Sequence, residues 1–155
     1  MQITSTAFQD GERIPRQHTG EGPDTSPPLE VEDVPDDAAT LALIVDDPDA
    51  PGKTWVHWLI WNVPASHTAF PGGVPQVETV AELGDAAQGL NDFDEIGWGG
   101  PMPPPGHGTH HYRFTVHALG REIDVDPGAD RETLDAALEE HTLATARLTG
   151  TYERE

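Results

Sequence analysis

Proline- and glycine-rich segments divide this chain into short apolar runs. Its 16 glycines and 15 prolines cluster at 20–28, 48–52, 71–75 and 97–108. Because Gly and Pro interrupt regular structure, short apolar runs between such segments are typical of strands joined by long loops. No internal repeat or low-complexity linker divides the 155 residues. The pattern therefore predicts one mostly-β domain over residues 1–155.

Three of the apolar runs are predicted to be strands. They cover residues 41–46, 56–63 and 112–119, and each stops at a turn-forming residue. The second run is apolar on both faces, which is typical of a central, buried strand. A weaker strand is predicted within residues 2–8.

A helix is predicted in the last quarter of the sequence. Asp130 is a suitable N-cap residue, Glu132 lies in the first turn, and Gly150 supplies a stop. Between these ends, five residues keep helical spacing, namely Leu134, Leu138, His141, Thr145 and Leu148. A further short helix is predicted at 66–70 or 81–90.

Acidic residues dominate the charge of the chain. Asp and Glu total 28 against 8 Lys and Arg, giving a net charge of -20. This charge disfavours binding to nucleic acids and anionic lipid surfaces. Since the acids are scattered and not gathered in a tail, we interpret them as adaptation to a salty cytoplasm, as in a halophile, where screening shortens to about 3 Å at 1 M salt. An acidic protein of an ordinary cell is the alternative.

Several other classes of protein are disfavoured by what the sequence lacks. No apolar run reaches the roughly 18 residues of a membrane span, and no secretory signal is visible, so a cytoplasmic protein is expected. The absence of Cys excludes disulfides and thiolate catalysis. No nucleophile elbow, phosphate-binding loop or zinc-protease helix occurs.

Strand alternation indicates which polar residues share a face with the apolar core residues. Asp47 continues the apolar face of the first run, and His110 and Tyr112 share the apolar face of the third. In the second run His57 shares its parity with Leu59, Trp61 and Val63. Each run thus delivers a titratable group near one end.

A carboxylate, two imidazoles and a phenol that converge in a hollow could bind an anion. Imidazole N–H and phenol O–H groups donate to anionic oxygens, while the acid orients or charges a histidine. Alternation alone leaves other roles open: Asp47 could form a turn, and His57 or Tyr112 could be core residues. A zinc or iron site, for which His107, His110 and His111 could supply ligands, is a minor alternative that lacks closely spaced paired ligands, so no metal or cofactor is predicted. A general base at His57 or His110 has no identifiable nucleophile beside it.

Two motifs contain these same residues. The first runs from Asp47 to Pro51 as D-P-D-A-P and is followed by W-V-H-W at 55–58. The second is G-P-M-P-P-P-G-H-G-T-H-H-Y at 100–112. With these motifs the chain resembles the phosphatidylethanolamine-binding proteins, which include the Raf kinase inhibitor protein, and most closely their bacterial and archaeal branch. The resemblance covers nearly the whole chain.

The resemblance implies an antiparallel β-sandwich with a few peripheral helices and a small pocket at one end. In the family this pocket takes phosphate-like or carboxylate anions, including phospholipid head groups. The motif positions that line it correspond to Asp47, His57, His110 and Tyr112. Those of the supporting wall correspond to Asp49, Pro51, Trp55 and Pro104. His111 stands where the family has arginine, on the face that alternation directs away from the pocket.

The resemblance favours a non-enzymatic binding protein for a small anionic ligand. The alternative is a protein-partner regulator, such as a protease or kinase inhibitor, that uses the loops at 71–80 and 97–109. Neither nucleic-acid binding nor stable membrane insertion is expected, and the chain is expected to be a monomer or a homodimer.

Overall fold

The computed structural model describes residues 1–155 and contains two antiparallel sheets. Its nine strands are β1 (Gln2–Thr4), β2 (Leu29–Glu32), β3 (Thr40–Asp47), β4 (Trp55–Pro64), β5 (Ala69–Phe70), β6 (Thr79–Val80), β7 (Ala86–Gln88), β8 (His110–Leu119) and β9 (Thr142–Tyr152). The small sheet has the order β1-β2-β5, and the large sheet has the order β6-β7-β4-β3-β8-β9. The predicted fold class, a mostly-β antiparallel sandwich, is confirmed.

The main core lies between the two sheets. Ile3, Val31 and Phe70 from the small sheet pack in one apolar cluster with Leu43 and Val116 of the large sheet. Strand β3 is the centre of the large sheet, paired with β4 on one side and β8 on the other, and all eight of its residues are buried. The apolar run at 41–46 is therefore buried on both faces.

A smaller core lies on the other face of the large sheet. Helix α1 (Arg131–Glu139) places Leu134 and Leu138 against Ile44 and Trp61 there. The predicted N-cap is confirmed, because Asp130 Oδ1 accepts a hydrogen bond from the Thr133 backbone N–H at 2.9 Å. None of the helices is long and apolar enough to cross a membrane.

The prediction that helix α1 continues to residue 148 is wrong. The chain turns after Glu140 and forms β9, which pairs with β8 over nearly its whole length. Helical spacing and strand alternation coincide in this segment, because alternate residues face the main core: Ala144, Ala146, Leu148 and Tyr152. Pairing with β8 satisfies the backbone, and the four threonines of the segment favour a strand.

Gly150 ends no helix and instead allows close packing within β9. A Cβ at this position would lie 2.5 Å from Ile14 Cγ1, so only glycine fits there. The further short helix predicted at 66–70 or 81–90 is also wrong as an α-helix. Those segments contain β5, β7 and a single 3-10 turn at Ala81–Leu83.

Candidate functional site

A cavity of about 310 Å³ opens where the end of β3 meets the starts of β4 and β8. Its walls combine two histidines and one carboxylate with apolar side chains. The lining residues are Asp47, Ala50, Pro51, Trp55, His57, Phe93, Met102, Pro104 and His110. The titratable residues at the ends of the three apolar runs, Asp47, His57 and His110, thus lie around one cavity.

Asp47 forms the buried polar anchor of this cavity. Its Oδ2 lies 2.6 Å from His110 Nδ1, and its Oδ1 accepts a hydrogen bond from the Asp49 backbone N–H at 2.8 Å. The second contact is the turn-forming hydrogen bond predicted as the alternative role of Asp47. The carboxylate therefore both forms the turn and contacts His110. An ionised carboxylate can accept hydrogen bonds but cannot donate them, so the His110 nitrogen that faces it, Nδ1, carries the proton.

A β-bulge turns His57 toward the cavity. Val45 pairs with Trp58 and Asp46 pairs with Val56, so His57 has no partner across the β3–β4 ladder. Such an extra residue breaks the alternation of a strand and re-aims its side chain. The ring of His57 therefore lines the cavity.

Because of the bulge, His57 lies on the opposite face of the sheet from the one that its parity predicts. Leu59 and Trp61, with which His57 shares its parity, pack on the face of the large sheet that α1 covers. Val63 has the same parity but lies in the main core, because a second register shift, near Asn62 with its φ of 57°, intervenes. Regular alternation would have directed His57 away from Asp47.

His57 presents a lone pair to the cavity. Its Nδ1 lies 2.6 Å from the Gly99 carbonyl oxygen, which can only accept, so Nδ1 holds the proton. Burial lowers the pKa of His57 below its usual value of 6.5, against the opposing effects of the Gly99 contact and of Asp47. The ring is therefore neutral near pH 7, and its Nε2 is unprotonated.

Two hydrogen-bond donors beside His57 are buried without a protein acceptor. These are the indole N–H of Trp55, a residue of the cavity wall, and the hydroxyl of Tyr112, a predicted pocket residue that is not among those lining the cavity. The Tyr112 ring packs edge-on against His57, with ring centroids 5.1 Å apart. Burial, followed by the charge of Asp47, raises the pKa of Tyr112, so the hydroxyl keeps its proton. An unpaired buried donor costs about 1–3 kcal/mol, and at Trp55 an acceptor in the cavity would recover this cost.

Comparison with known proteins identifies the family of this chain. Residues 4–153 match the family model described as phosphatidylethanolamine-binding protein. The chain belongs to the phosphatidylethanolamine-binding protein family. It is 45% identical over 150 residues to a UPF0098 protein of Pyrococcus horikoshii, covering 97% of this chain and 75% of that protein. It is 42% identical over 154 residues to a UPF0098 protein of Methanothermobacter thermautotrophicus, covering 99% of each.

Solved structures agree with this assignment. The Escherichia coli protein YbcL, described as a new member of the mammalian PEBP family, matches with a TM-score of 0.92 and 37% identity, covering 99% of this chain and 98% of that one. A putative phosphatidylethanolamine-binding protein homologue of Chlamydia trachomatis matches with a TM-score of 0.89 and 37% identity, covering 99% and 97%. Similarity to both the bacterial and the archaeal proteins agrees with the branch that the sequence motifs indicated.

The remaining predicted wall residues of this family member fall into two groups. Pro51, Trp55 and Pro104 line the cavity. Asp49 does not, because its Oδ2 accepts from the His111 backbone N–H at 2.9 Å and contacts His111 Nδ1 at 2.8 Å outside the cavity. The His111 contact is the main cause of the lowered pKa of Asp49. Asp49 thus joins the loop after β3 to the start of β8.

A larger cavity, of about 590 Å³, lies near α1, and none of the predicted site residues lines it. Its three basic residues are already paired with acids in the same cavity. Lys53 contacts Asp92 at 3.1 Å, and Arg113 and Arg131 each contact the buried Asp46 at 2.7 Å. Because these cations are neutralised, this cavity has no excess of donors for an anion.

Alternation and motifs did not identify Asp24, which holds the loop before the second motif. Its Oδ1 accepts hydrogen bonds from Trp98 Nε1 at 3.1 Å and from the Gly100 backbone N–H at 2.9 Å. Burial is the largest influence on Asp24 and raises its pKa above 3.8. Asp24 is far from the motifs in sequence, and nothing in the sequence distinguishes it from the other acidic residues in loops.

Asp24→Ala is expected to lower the free energy of unfolding by about 2 kcal/mol, because two donors lose their acceptor. Asp24→Asn keeps an acceptor oxygen and is expected to change stability by less than about 0.5 kcal/mol near pH 4. Since a raised pKa means that the folded state binds the proton more tightly, the contribution of Asp24 to stability falls as the pH rises above 3.8, and the Asn variant lacks this contribution to the pH dependence. Urea unfolding of the three proteins at two pH values measures both effects; equal losses in both variants would contradict this role.

Proposed function

We propose that this family member binds a small anion, such as phosphate, a carboxylate or a phospholipid head group, in the cavity between Asp47, Trp55 and His57. The observation that carries the proposal is the indole N–H of Trp55, a cavity-lining residue, which is buried without a protein acceptor. Anionic oxygens are strong acceptors, and charge-assisted hydrogen bonds are about twice as strong as neutral ones.

Anion binding is expected to bring a proton to His57. In the free protein Nε2 of this residue is an acceptor, which would repel an anionic oxygen, whereas an imidazolium would donate to it. A bound anion therefore raises the lowered pKa of His57. Between the pKa of the free protein and that of the complex, affinity then rises as the pH falls, by about tenfold per pH unit at most.

The size and chemistry of the cavity support binding over turnover. A volume of about 310 Å³ lies at the lower end of the range for ligand pockets, roughly 300–1,000 Å³. Its walls include no Ser, Thr, Cys or Lys that could act as a nucleophile. Its one carboxylate, on Asp47, already makes two hydrogen bonds. We therefore propose that the ligand is held and released without chemical change.

The test is a titration of the protein with phosphate, acetate and phosphoethanolamine, followed by NMR. The Trp55 indole N–H and the His57 ring signals are expected to shift in a saturable way with millimolar ligand. Because a charge of -20 repels anions over the Debye length, which is about 10 Å at 0.1 M salt, the titration is run at high salt. The Trp61 indole N–H, which donates to the Val125 carbonyl oxygen, is the internal control. Equal or absent shifts of Trp55 and Trp61 would refute the proposal.

A further inference from the structure

His110 has no ring nitrogen free for a ligand. Its Nδ1 lies 2.6 Å from Asp47 Oδ2, and its Nε2 lies 2.6 Å from His107 Nδ1. His57, by contrast, uses only Nδ1 and leaves Nε2 to the cavity. The two histidines of the site therefore differ in availability, although both line the same cavity.

The residue that occupies His110 comes from an exposed loop. His107 lies between Gly106 and Gly108, both with left-handed backbones at φ values of 73° and 90°. The loop is fixed at its base, because the Gly106 backbone N–H donates to the Arg154 carbonyl oxygen at 3.0 Å. The His107 ring is solvent-exposed, whereas the His110 ring is buried. One exposed imidazole thus covers the only hydrogen-bonding position that Asp47 leaves on His110.

The hydrogen bond between the two histidines competes directly with ligand binding. An anion can accept a hydrogen bond from His110 only at Nε2 of its imidazolium form, because Nδ1 is held by Asp47. While His107 Nδ1 contacts that nitrogen, the anion has no access to it. The ring of His107 would have to move away, and being exposed it can do so without opening the core.

We propose that His107 is a competing residue of the anion site, which occupies Nε2 of His110 and weakens ligand binding. This inference rests on the proposed function, because it assigns a further determinant of affinity to the same cavity. A neutral hydrogen bond is worth about 0.5–1.5 kcal/mol, so its removal is expected to tighten binding about two- to tenfold.

The experiment compares acetate affinities of the wild type and of His107→Ala at fixed pH and salt, by calorimetry or NMR. His67→Ala is the matched control, because His67 lies in the loop before β5, makes no side-chain hydrogen bond and is not part of the cavity lining. Tighter binding by His107→Ala alone is the expected result. Unchanged or weaker binding overturns the competing role and leaves the proposed function standing. Absence of acetate binding in all three proteins overturns both.

A second measurement tests the contact itself without any ligand. An N–H···N hydrogen bond between two imidazoles gives a nitrogen–nitrogen scalar coupling in protein labelled with ¹⁵N. A coupling between His107 Nδ1 and His110 Nε2 is expected in the wild type, with loss of the His110 component in His107→Ala. Its absence in the wild type would overturn the proposal, even if the variant bound acetate more tightly.

Discussion

His57→Phe is expected to weaken acetate binding about ten- to hundredfold, because hydrogen bonds to charged groups contribute about 1.5–3 kcal/mol. Phenylalanine fits the environment of this ring, which packs against Phe93 and Tyr112 at centroid distances of 5.5 and 5.1 Å. The variant should also lose the rise in affinity that the wild type shows as the pH falls from about 8 to about 6, a range in which acetate stays ionised. Calorimetric titration at several pH values measures both changes.

His117→Phe is the matched control for this variant. His117 is also a histidine of the large sheet whose pKa is lowered by burial, but it is not part of the cavity lining. Its replacement should leave both the affinity for acetate and its pH dependence unchanged. If the two variants behave alike, or if His57→Phe keeps the pH dependence, the proton uptake assigned to His57 is wrong.

Trp58→Ala is expected to lower the free energy of unfolding by about 3–5 kcal/mol, because it removes a large, fully buried side chain and leaves a void. The ring of Trp58 meets Trp98 edge-on at 5.7 Å, and its N–H donates to Gln88 Oε1 at 2.6 Å. Gln88 in turn donates to the carbonyl oxygens of Pro75 and Val77. Loss of Trp58 therefore loosens the core and the loop at 75–77 together.

Trp58→Phe separates the hydrogen bond from the packing. It keeps a buried ring but leaves the Gln88 side-chain oxygen without the Trp58 donor, so a smaller loss of about 1–3 kcal/mol is expected. Urea unfolding followed by circular dichroism gives the two values. Equal losses in the Ala and Phe variants would contradict the importance of packing at this position.

Strand alternation predicted the placement of the polar side chains correctly where the ladder is regular. Asp47 and His110 lie on the cavity side of β3 and β8, whose pairing has an unbroken register from Thr40 to Asp46. His57 reaches the same cavity for a different reason, since the bulge in β4 reverses the face that its parity gave. A one-residue insertion of this kind leaves no mark in the apolar pattern. The family resemblance supplied the correct convergence where periodicity alone did not.

The segment at 142–152 shows why local spacing was insufficient for the last strand. His141, Thr145 and Leu148 fit a helical face, while Ala144, Ala146 and Leu148 fit a strand face equally well. Pairing with a distant strand, β8, decides between the two. Long-range contacts also explain why Asp24 was not assigned a role, since Trp98 and Gly100 are distant in sequence and only the fold brings them close. His107 is three residues from His110, but it lies in a loop, where strand alternation predicts no contacts.

The most direct test of the proposed function is a crystal structure of this protein grown with phosphate. We expect tetrahedral density in the cavity, with oxygens at about 2.7–3.2 Å from Trp55 Nε1 and His57 Nε2. Displacement of the His107 ring from His110 in the same crystal would show how the anion reaches the second histidine. Phosphate bound only elsewhere on the surface, with water alone beside Trp55 and His57 at saturating phosphate, would contradict the assignment of this cavity as an anion site.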